Sequence, residues 1–235
     1  MKSNKKKLSI ILPSYNEEKN IQDTFITVIK SLKKCSILNF EIIFIDDGST
    51  DNSKNEIKYI VNKFGKKIKF KFQLFKKNFG LGKAFRSGIN LASGSHVMFI
   101  PTDNYHPSKG LVEILKKINW NDDILLSYVK NIENRSIFRR FISRLYTLIL
   151  NILFLNKIKY FNGLNIYPKK ILKRFINKTN GFAFQTEIII KAIRNGYSYY
   201  HVPTSVSNRK EGLTRAFKVK NIYQVCMSII KLYFN

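Results

Sequence analysis

Apolar and polar positions along the first 130 residues follow two different rhythms. Largely apolar runs at Leu8–Leu12, Ile42–Ile45 and His96–Ile100 end in polar, proline- or glycine-containing turns, the pattern of strands covered on both faces. Two further strands are predicted around Lys69–Phe75 and over Asp123–Val129. Between these runs the spacing changes to three and four. Ile21, Phe25, Val28, Ile29 and Leu32 line one face of a helix reaching about Lys34. Other helices are predicted from about Asn52 to Phe64, from the Asn78-Phe79-Gly80 turn to Ala92, and over Pro107–Ile118. Strands and helices alternating at this spacing predict an α/β fold, an open and mainly parallel sheet flanked by helices. Right-handed crossovers then place the loops after the first, second and fourth strands along one edge.

Beyond Asn131 the pattern changes character. Ser136–Phe161 reads as one long helix, apolar nearly all round over Leu145–Leu155 and interrupted there by Thr147 and Asn151. Arg139, Arg140 and Arg144 precede this stretch, and Lys157 and Lys159 follow it. It is too short to span a bilayer. It suits either a helix lying in a membrane interface with cations at the headgroups, or a buried helix. Over Val219–Phe234, the residues Val219, Ile222, Tyr223, Cys226, Ile229, Ile230 and Tyr233 form a second helical stripe, which core packing explains equally well. One domain over 1–215 with a C-terminal amphipathic helix over 216–235 is the economical organisation.

Composition alters this picture in one respect. Hydrophobic content is ordinary at 44%, and no run of apolar residues is long enough for an evident transmembrane helix. Met1–Lys7 is basic, but only Leu8–Leu12 follows it, which predicts no secretory leader. Cys35 and Cys226 lack paired spacing and read as small buried residues in a reducing compartment. The charge stands out: 42 Lys and Arg against 15 Asp and Glu give +27. That excess implies an anionic partner, whether nucleotide phosphates, an anionic membrane or nucleic acid. Lys, Asn and Ile are heavily used throughout, so charge alone does not choose among them. Nucleic acid is disfavoured, because the aromatics sit in apolar patterns and no standard binding module is present.

Candidate chemistry gathers where strands end. In open α/β sheets ligands lie beyond the carboxyl ends of strands. The predicted ends carry Pro13-Ser14-Tyr15-Asn16-Glu17, Asp46-Asp47-Gly48-Ser49 and Asp103. Each has a plain structural explanation. Ser49, Thr50 and Asp51 cap a following helix, and Glu17 suits the positive end of a helix dipole. Their joint order and spacing, however, resemble the family 2 glycosyltransferases of the GT-A fold. The blocks Arg139–Arg144, Phe161–Tyr167, Phe184–Glu187 and Arg209–Arg215 are similar to the dolichyl- or polyprenyl-phosphate sugar synthase branch.

The resemblance implies a nucleotide-binding half at 8–103 and an acceptor half at 104–215 that includes an amphipathic helix at about 136–160. It implies that Pro13, Tyr15, Glu17, Ile45 and Asp47 surround the nucleotide of a nucleotide-diphosphate sugar. Asp103 would hold a divalent metal, Mg²⁺ or Mn²⁺, as the second aspartate of an Asp-x-Asp motif whose first position is Pro101 here. Arg139, Ser143, Arg209 and Arg215 would bind acceptor or diphosphate oxygens, and guanidinium groups suit this through forked hydrogen bonding. Glu187 is a catalytic or structural carboxylate, and Gln185 lies near it. An arginine of the branch is replaced by Ser127. The expected activity is inverting, metal-assisted sugar transfer to a polyprenyl phosphate, which needs no strong general base because the acceptor is already ionised. The expected location is the cytoplasmic face of a membrane. A transferase with a soluble saccharide acceptor and a non-catalytic sugar-nucleotide binder are the alternatives.

Overall fold

The computed structural model describes residues 6–130, 137–176, 179, 181, 183–207 and 219–234. The predicted alternation is present. β1 (Leu8–Ser14), α1 (Ile21–Lys34), β2 (Phe40–Asp46), α2 (Ser53–Phe64), β3 (Phe70–Leu74), α3 (Leu81–Leu91), β4 (His96–Phe99) and α4 (Ser108–Leu115) come first. They are followed by β5 (Ile124–Val129), α5 (Ile137–Phe154), β6 (Ile166–Pro168), α6 (Lys169–Phe175), α7 (Phe184–Arg194), β7 (Tyr199–Thr204) and α8 (Val219–Phe234). The strands form one seven-stranded sheet in the order β3-β2-β1-β4-β6-β5-β7. Pairings are parallel except those of β6, which runs antiparallel to β4 and β5.

The sheet is covered on both faces, so successive residues of one strand enter different cores. Ile10, Leu12, Ile42 and Phe44 pack with Phe25 of α1, Ile57 of α2 and Leu111 of α4. Their neighbours Ile11, Ile43 and Ile45 pack on the other side with Phe85 of α3, Leu150 of α5 and Ile188 of α7. There Phe85, Phe99 and Phe184 form an aromatic triangle with ring centroids 4.9–5.4 Å apart. That triangle fixes the start of α7 against the end of β4.

At the opposite, amino edge of the sheet a charge is buried. Glu41 is fully inaccessible. Its carboxylate accepts hydrogen bonds from Ser9 Oγ (2.6 Å), the Ser93 amide (2.5 Å), Ser93 Oγ (2.7 Å) and Lys7 Nζ (3.0 Å). Lys71 Nζ lies 3.4 Å away. One carboxylate thereby joins β1, β2, β3 and the α3–β4 turn.

Two expectations change, and four elements come without an expectation. The long helix predicted to Phe161 stops at Phe154. Leu155 takes φ +52°, and Asn151 holds the returning chain by donating to the Ile158 carbonyl (2.8 Å) and accepting from its amide (3.0 Å). The residue read as a break in the apolar run is thus the helix stop. Cys226 is exposed and Cys35 only partly buried, so neither behaves as the small core residue expected. Finally, β6, α6, α7 and β7 had no clear periodic signal. β6 has three residues, too few to show a period. β7 is an edge strand containing Pro203, a residue that argues against a strand anywhere but at an edge.

Candidate active site

β1 lies between β2 and β4, and all three run parallel, so their carboxyl ends open on one edge. The segments after the strands stay attached to β1. Asp47 N donates to the Ser14 carbonyl (2.8 Å), while Thr102 donates to the Pro13 carbonyl through both N (3.3 Å) and Oγ1 (2.8 Å). Asp47 and Asp103 therefore lie in the turns that follow the two strands flanking β1. Pro13 and Ser14 form the floor between them.

The loop after β1 is laced to the loop after β2. Asn16 N donates to Ser49 Oγ (3.0 Å), Glu17 N to Ser53 Oγ (2.9 Å) and Glu18 N to Asp51 Oδ2 (3.1 Å). In the other direction, Thr50 N donates to Asn16 Oδ1 (2.8 Å) and Asn52 N to Glu18 Oε2 (2.8 Å). Asn16 adopts φ +55°, a left-handed conformation that asparagine tolerates better than most residues. Tyr15 and Glu17 stand half-buried on this wall. Glu17 Oε2 accepts from Asn20 Nδ2 (2.7 Å) ahead of α1.

Asp47 is 4% exposed, and its two oxygens accept separate backbone bonds, Oδ1 from Phe79 N and Oδ2 from Gly80 N, both 2.8 Å. It caps the start of α3 in the manner of a helix-end carboxylate. Burial pushes its carboxyl above the ordinary range; the Phe79 and Gly80 amides pull the other way, and Asp46 adds repulsion. Gly48 makes the approach possible. It has φ +76°, and a Cβ there would lie 2.2 Å from the Lys77 carbonyl carbon. Asp46 itself is fully buried, with Oδ2 accepting from Ser49 N (3.0 Å) and lying 4.0 Å from Lys54 Nζ. Replacing Asp47 by asparagine sets an amide NH₂ against one of two backbone donors. We expect a loss of about 1–3 kcal/mol, read as a fall in Tm of several degrees.

The other candidates divide clearly. The Ile45 side chain lies wholly in the core, directly behind Asp47. Asp103 is half-buried in the turn after β4, with Oδ1 accepting from Tyr105 N (3.3 Å). Ser143 is half-buried on α5, and its carbonyl accepts from Thr147 Oγ1 (2.9 Å). The side chain of Arg139 and the whole of Arg209 and Arg215 lie outside the described residues. Glu187, in the first turn of α7, accepts from Thr179 Oγ1 (2.6 Å) and Lys191 Nζ (2.7 Å). It borders a cavity of about 620 Å³ between α7 and α8. Arg86 of α3 donates to the Thr179 carbonyl (2.7 Å), so Glu187 is tied to α3 through this segment.

Gln185 belongs to a closed polar network. Its Oε1 accepts from Asn165 Nδ2 (3.1 Å) and Tyr167 OH (2.8 Å), and its Nε2 donates to the Gly163 carbonyl (3.3 Å). Asn165 Oδ1 in turn accepts from Ser127 N (2.9 Å). Ser127 is fully buried, and a Cβ on Gly163 would lie 2.1 Å from its carbonyl oxygen, so the chain here is closed tightly over a small residue. The Arg86 tie carries no motif, since its members lie 93 residues apart, whereas the Gln185 network joins the Phe161–Tyr167 block to the Phe184–Glu187 block.

The donor set bears on a metal. Among the described residues no group of three or more His, Cys, Asp or Glu side chains could hold an ion. Mg²⁺ is commonly bound through one or two carboxylates together with substrate phosphates. A lone carboxylate such as Asp103 is compatible with that arrangement only where bound phosphates supply the remaining oxygens.

Comparison with known proteins agrees with this architecture. The family model described as Glycosyl transferase family 2 matches residues 9–191. A dolichol-phosphate mannosyltransferase of Pyrococcus furiosus is 27% identical over 235 residues, covering 96% of this chain; the chain spans 63% of that relative's length. An uncharacterized protein of Methanocaldococcus jannaschii is 26% identical, over 95% of this chain and 98% of its own. Among solved structures, glucosyl-3-phosphoglycerate synthase from Mycobacterium tuberculosis, in complex with Mg²⁺ and UDP, superposes with TM-score 0.69. It is 16% identical, and the match covers 97% of this chain and 80% of that one. S. aureus TarS in complex with UDP-GlcNAc gives TM-score 0.64 at 22% identity, over 97% and 67%. At these identities the structural matches establish the fold, which is GT-A.

Proposed function

Because the chain belongs to glycosyl transferase family 2, we propose that it transfers a sugar from a nucleotide-diphosphate donor to a polyprenyl phosphate at the cytoplasmic face of a membrane. The observation that carries this reading is the single edge on which Asp47 and Asp103 flank the end of β1. In it, the laced wall of Tyr15, Glu17 and the Asp47 turn receives the nucleoside. A carboxylate at Asp47 retains lone pairs beyond the two backbone bonds, and these suit ribose hydroxyls or a base edge. Asp103 faces the diphosphate side and would hold the divalent cation, which supplies positive charge to the leaving group. The M. tuberculosis and S. aureus proteins, whose structures contain UDP or UDP-GlcNAc, support a nucleotide-sugar donor. The P. furiosus relative supports a lipid phosphate acceptor.

The acceptor phosphate is ionised at neutral pH and needs no strong base. The protein's work is then positioning and charge stabilisation. Arg139, Ser143, Arg209 and Arg215 are the proposed anion-binding groups. Displacement without an enzyme nucleophile inverts the anomeric centre.

The test is an assay of the purified chain with a panel of nucleotide-diphosphate sugars, Mn²⁺ or Mg²⁺, and either undecaprenyl phosphate or soluble saccharides. We expect a lipid-linked product from one donor. Folded protein that yields a glycosylated soluble acceptor and no lipid product would favour the soluble-acceptor reading. Pro101, in place of a motif aspartate, favours a second reading, that of a sugar-nucleotide binder without turnover. Pro101→Asp should lower the metal concentration for half-maximal activity about tenfold, since ligand charge sets affinity. Donor binding without turnover in the wild type, with turnover appearing in this variant, would establish the second reading.

A further inference from the structure

β3 closes one end of the sheet. It pairs with β2, and among the described residues no strand lies on its other side. In a parallel ladder the N–H and C=O of one residue point the same way, and the direction alternates along the strand. The Lys69 carbonyl accepts from Ile42 N (3.0 Å), and Phe75 N donates to the Asp46 carbonyl (2.9 Å), so the odd-numbered residues face β2. The amides and carbonyls of Phe70, Phe72 and Leu74 therefore point outward, along an open edge. Phe70 and Leu74 pack partly against the core, but Phe72 between them is 46% exposed.

Charge gathers around this edge. Residues 54–77 hold nine lysines and a single acidic residue, Glu56. Nine cations in 24 residues, against 42 in 235, is about twice the share of the whole chain, so general lysine usage does not account for it. Lys66, Lys67 and Lys69 lead into β3, and Lys76 and Lys77 leave it; all five are exposed. Lys71 instead turns inward, to the Leu91 carbonyl (2.5 Å) and Glu41 (3.4 Å). The buried Glu41 is already occupied by its own partners and offers the exposed lysines no counter-charge. Lysines beside an edge strand ordinarily guard it against pairing with its own kind. They leave it open to a strand of opposite charge.

We propose that the outer edge of β3 is a docking site for an acidic polypeptide segment, which joins the sheet as an added strand. Two features select this occupant. Outward N–H and C=O groups in alternation need a partner with backbone acceptors and donors in alternation, which a polypeptide has and a polynucleotide or a lipid headgroup lacks. The lysines then favour Asp and Glu side chains, while a second copy of the chain brings the same lysines and is repelled. A segment seated here lies beside the candidate site, because Phe75 is bonded to Asp46 and the Phe79 amide holds Asp47. The proposal does not rest on the sugar-transfer reading, since binding is measured without donor or acceptor.

The test is fluorescence anisotropy of labelled peptides titrated with the full chain. A peptide of six Glu-Thr repeats should bind, more weakly as salt is added, and one of six Lys-Thr repeats should not. Six Glu-Pro repeats carry the same charge but lack half the amides and cannot pair as a strand; they should bind at least about tenfold more weakly. Phe72→Pro removes one outward amide, leaves the bonds to β2 in place, and should weaken binding of the Glu-Thr peptide about tenfold. Phe72→Val keeps that amide and strand preference and should stay within about twofold of wild type. Thermal melts establish that both variants fold, and the Glu-Pro comparison needs neither. Absence of binding by the Glu-Thr peptide overturns the proposal. So does equal affinity for the Glu-Pro peptide, or a folded Phe72→Pro variant that binds as wild type or no worse than Phe72→Val. Displacement of the peptide by oligothymidylate that binds Phe72→Pro as tightly as wild type would make the patch a nucleic-acid surface. A wild-type dimer that Phe72→Pro dissociates would make it a contact between copies.

Discussion

Asp103→Asn is expected to reduce kcat/KM about a thousandfold while leaving the melting temperature within a degree or two of wild type. The asparagine keeps an oxygen for the Tyr105 amide, so the turn after β4 retains its bond. What disappears is a negative charge at the edge where the proposed diphosphate and cation meet. Removing one electrostatic stabilising group typically costs two to three orders of magnitude, and loss of a carboxylate from a site with so few donors belongs at the upper end. Steady-state kinetics across a range of Mn²⁺ concentrations reads the effect. A variant within tenfold of wild type would remove Asp103 from the proposed chemistry and point to cationic side chains as the groups that neutralise the leaving diphosphate.

Glu41→Gln is expected to produce the largest loss of stability. Burial alone would raise the Glu41 carboxyl, but bonds from Ser9, from the Ser93 amide and hydroxyl, and from Lys7 outweigh it and bring the group to about 2. A group depressed on folding contributes stability that is complete above its unfolded value, near 4.5, and fades as pH falls from there toward 2. At one pKa unit per 1.36 kcal/mol the contribution is about 3 kcal/mol. Glutamine replaces one acceptor oxygen with a donor facing Ser and Lys donors and leaves Lys7 buried without its counter-charge. Breaking such a pair costs about 3–5 kcal/mol, which for a chain of this size lowers Tm by roughly 10 °C. Melting curves between pH 2 and 7 supply a second readout: the wild type should lose stability below pH 4.5, and the variant should show a flatter profile. Equal slopes for the two would mean that Glu41 does not carry the acid sensitivity.

The first half of the fold was legible because its strands are buried on both faces, so the apolar runs of β1, β2 and β4 stand out whole. The amphipathic stripe of α1 was equally plain. The second half was less so. β6 is too short to display a period, and β7 carries Pro203 because it has one unpaired edge. Asn151 read as an interruption, although its bonds to Ile158 show it to be a terminator. At the site, strand-end position drew attention to the turns that carry Asp47 and Asp103, and the family resemblance gave these two residues their expected roles. That Asp47 also caps α3 was hidden, because the Phe79 and Gly80 amides reach it from more than thirty residues away. The ties of Gln185 and Glu187 were hidden for the same reason: side chains and carbonyls brought together only by tertiary packing leave no local pattern.

The bonds lacing the loop after β1 to the loop after β2 have a consequence for recognition. They join protein to protein and need no guest to form. One side of the cleft is thus rigid beforehand, and the nucleotide proposed to settle against it would cost little of the chain's freedom. Under that proposal, discrimination between bases would reside in a fixed contour rather than in a wall that remoulds itself around each arrival.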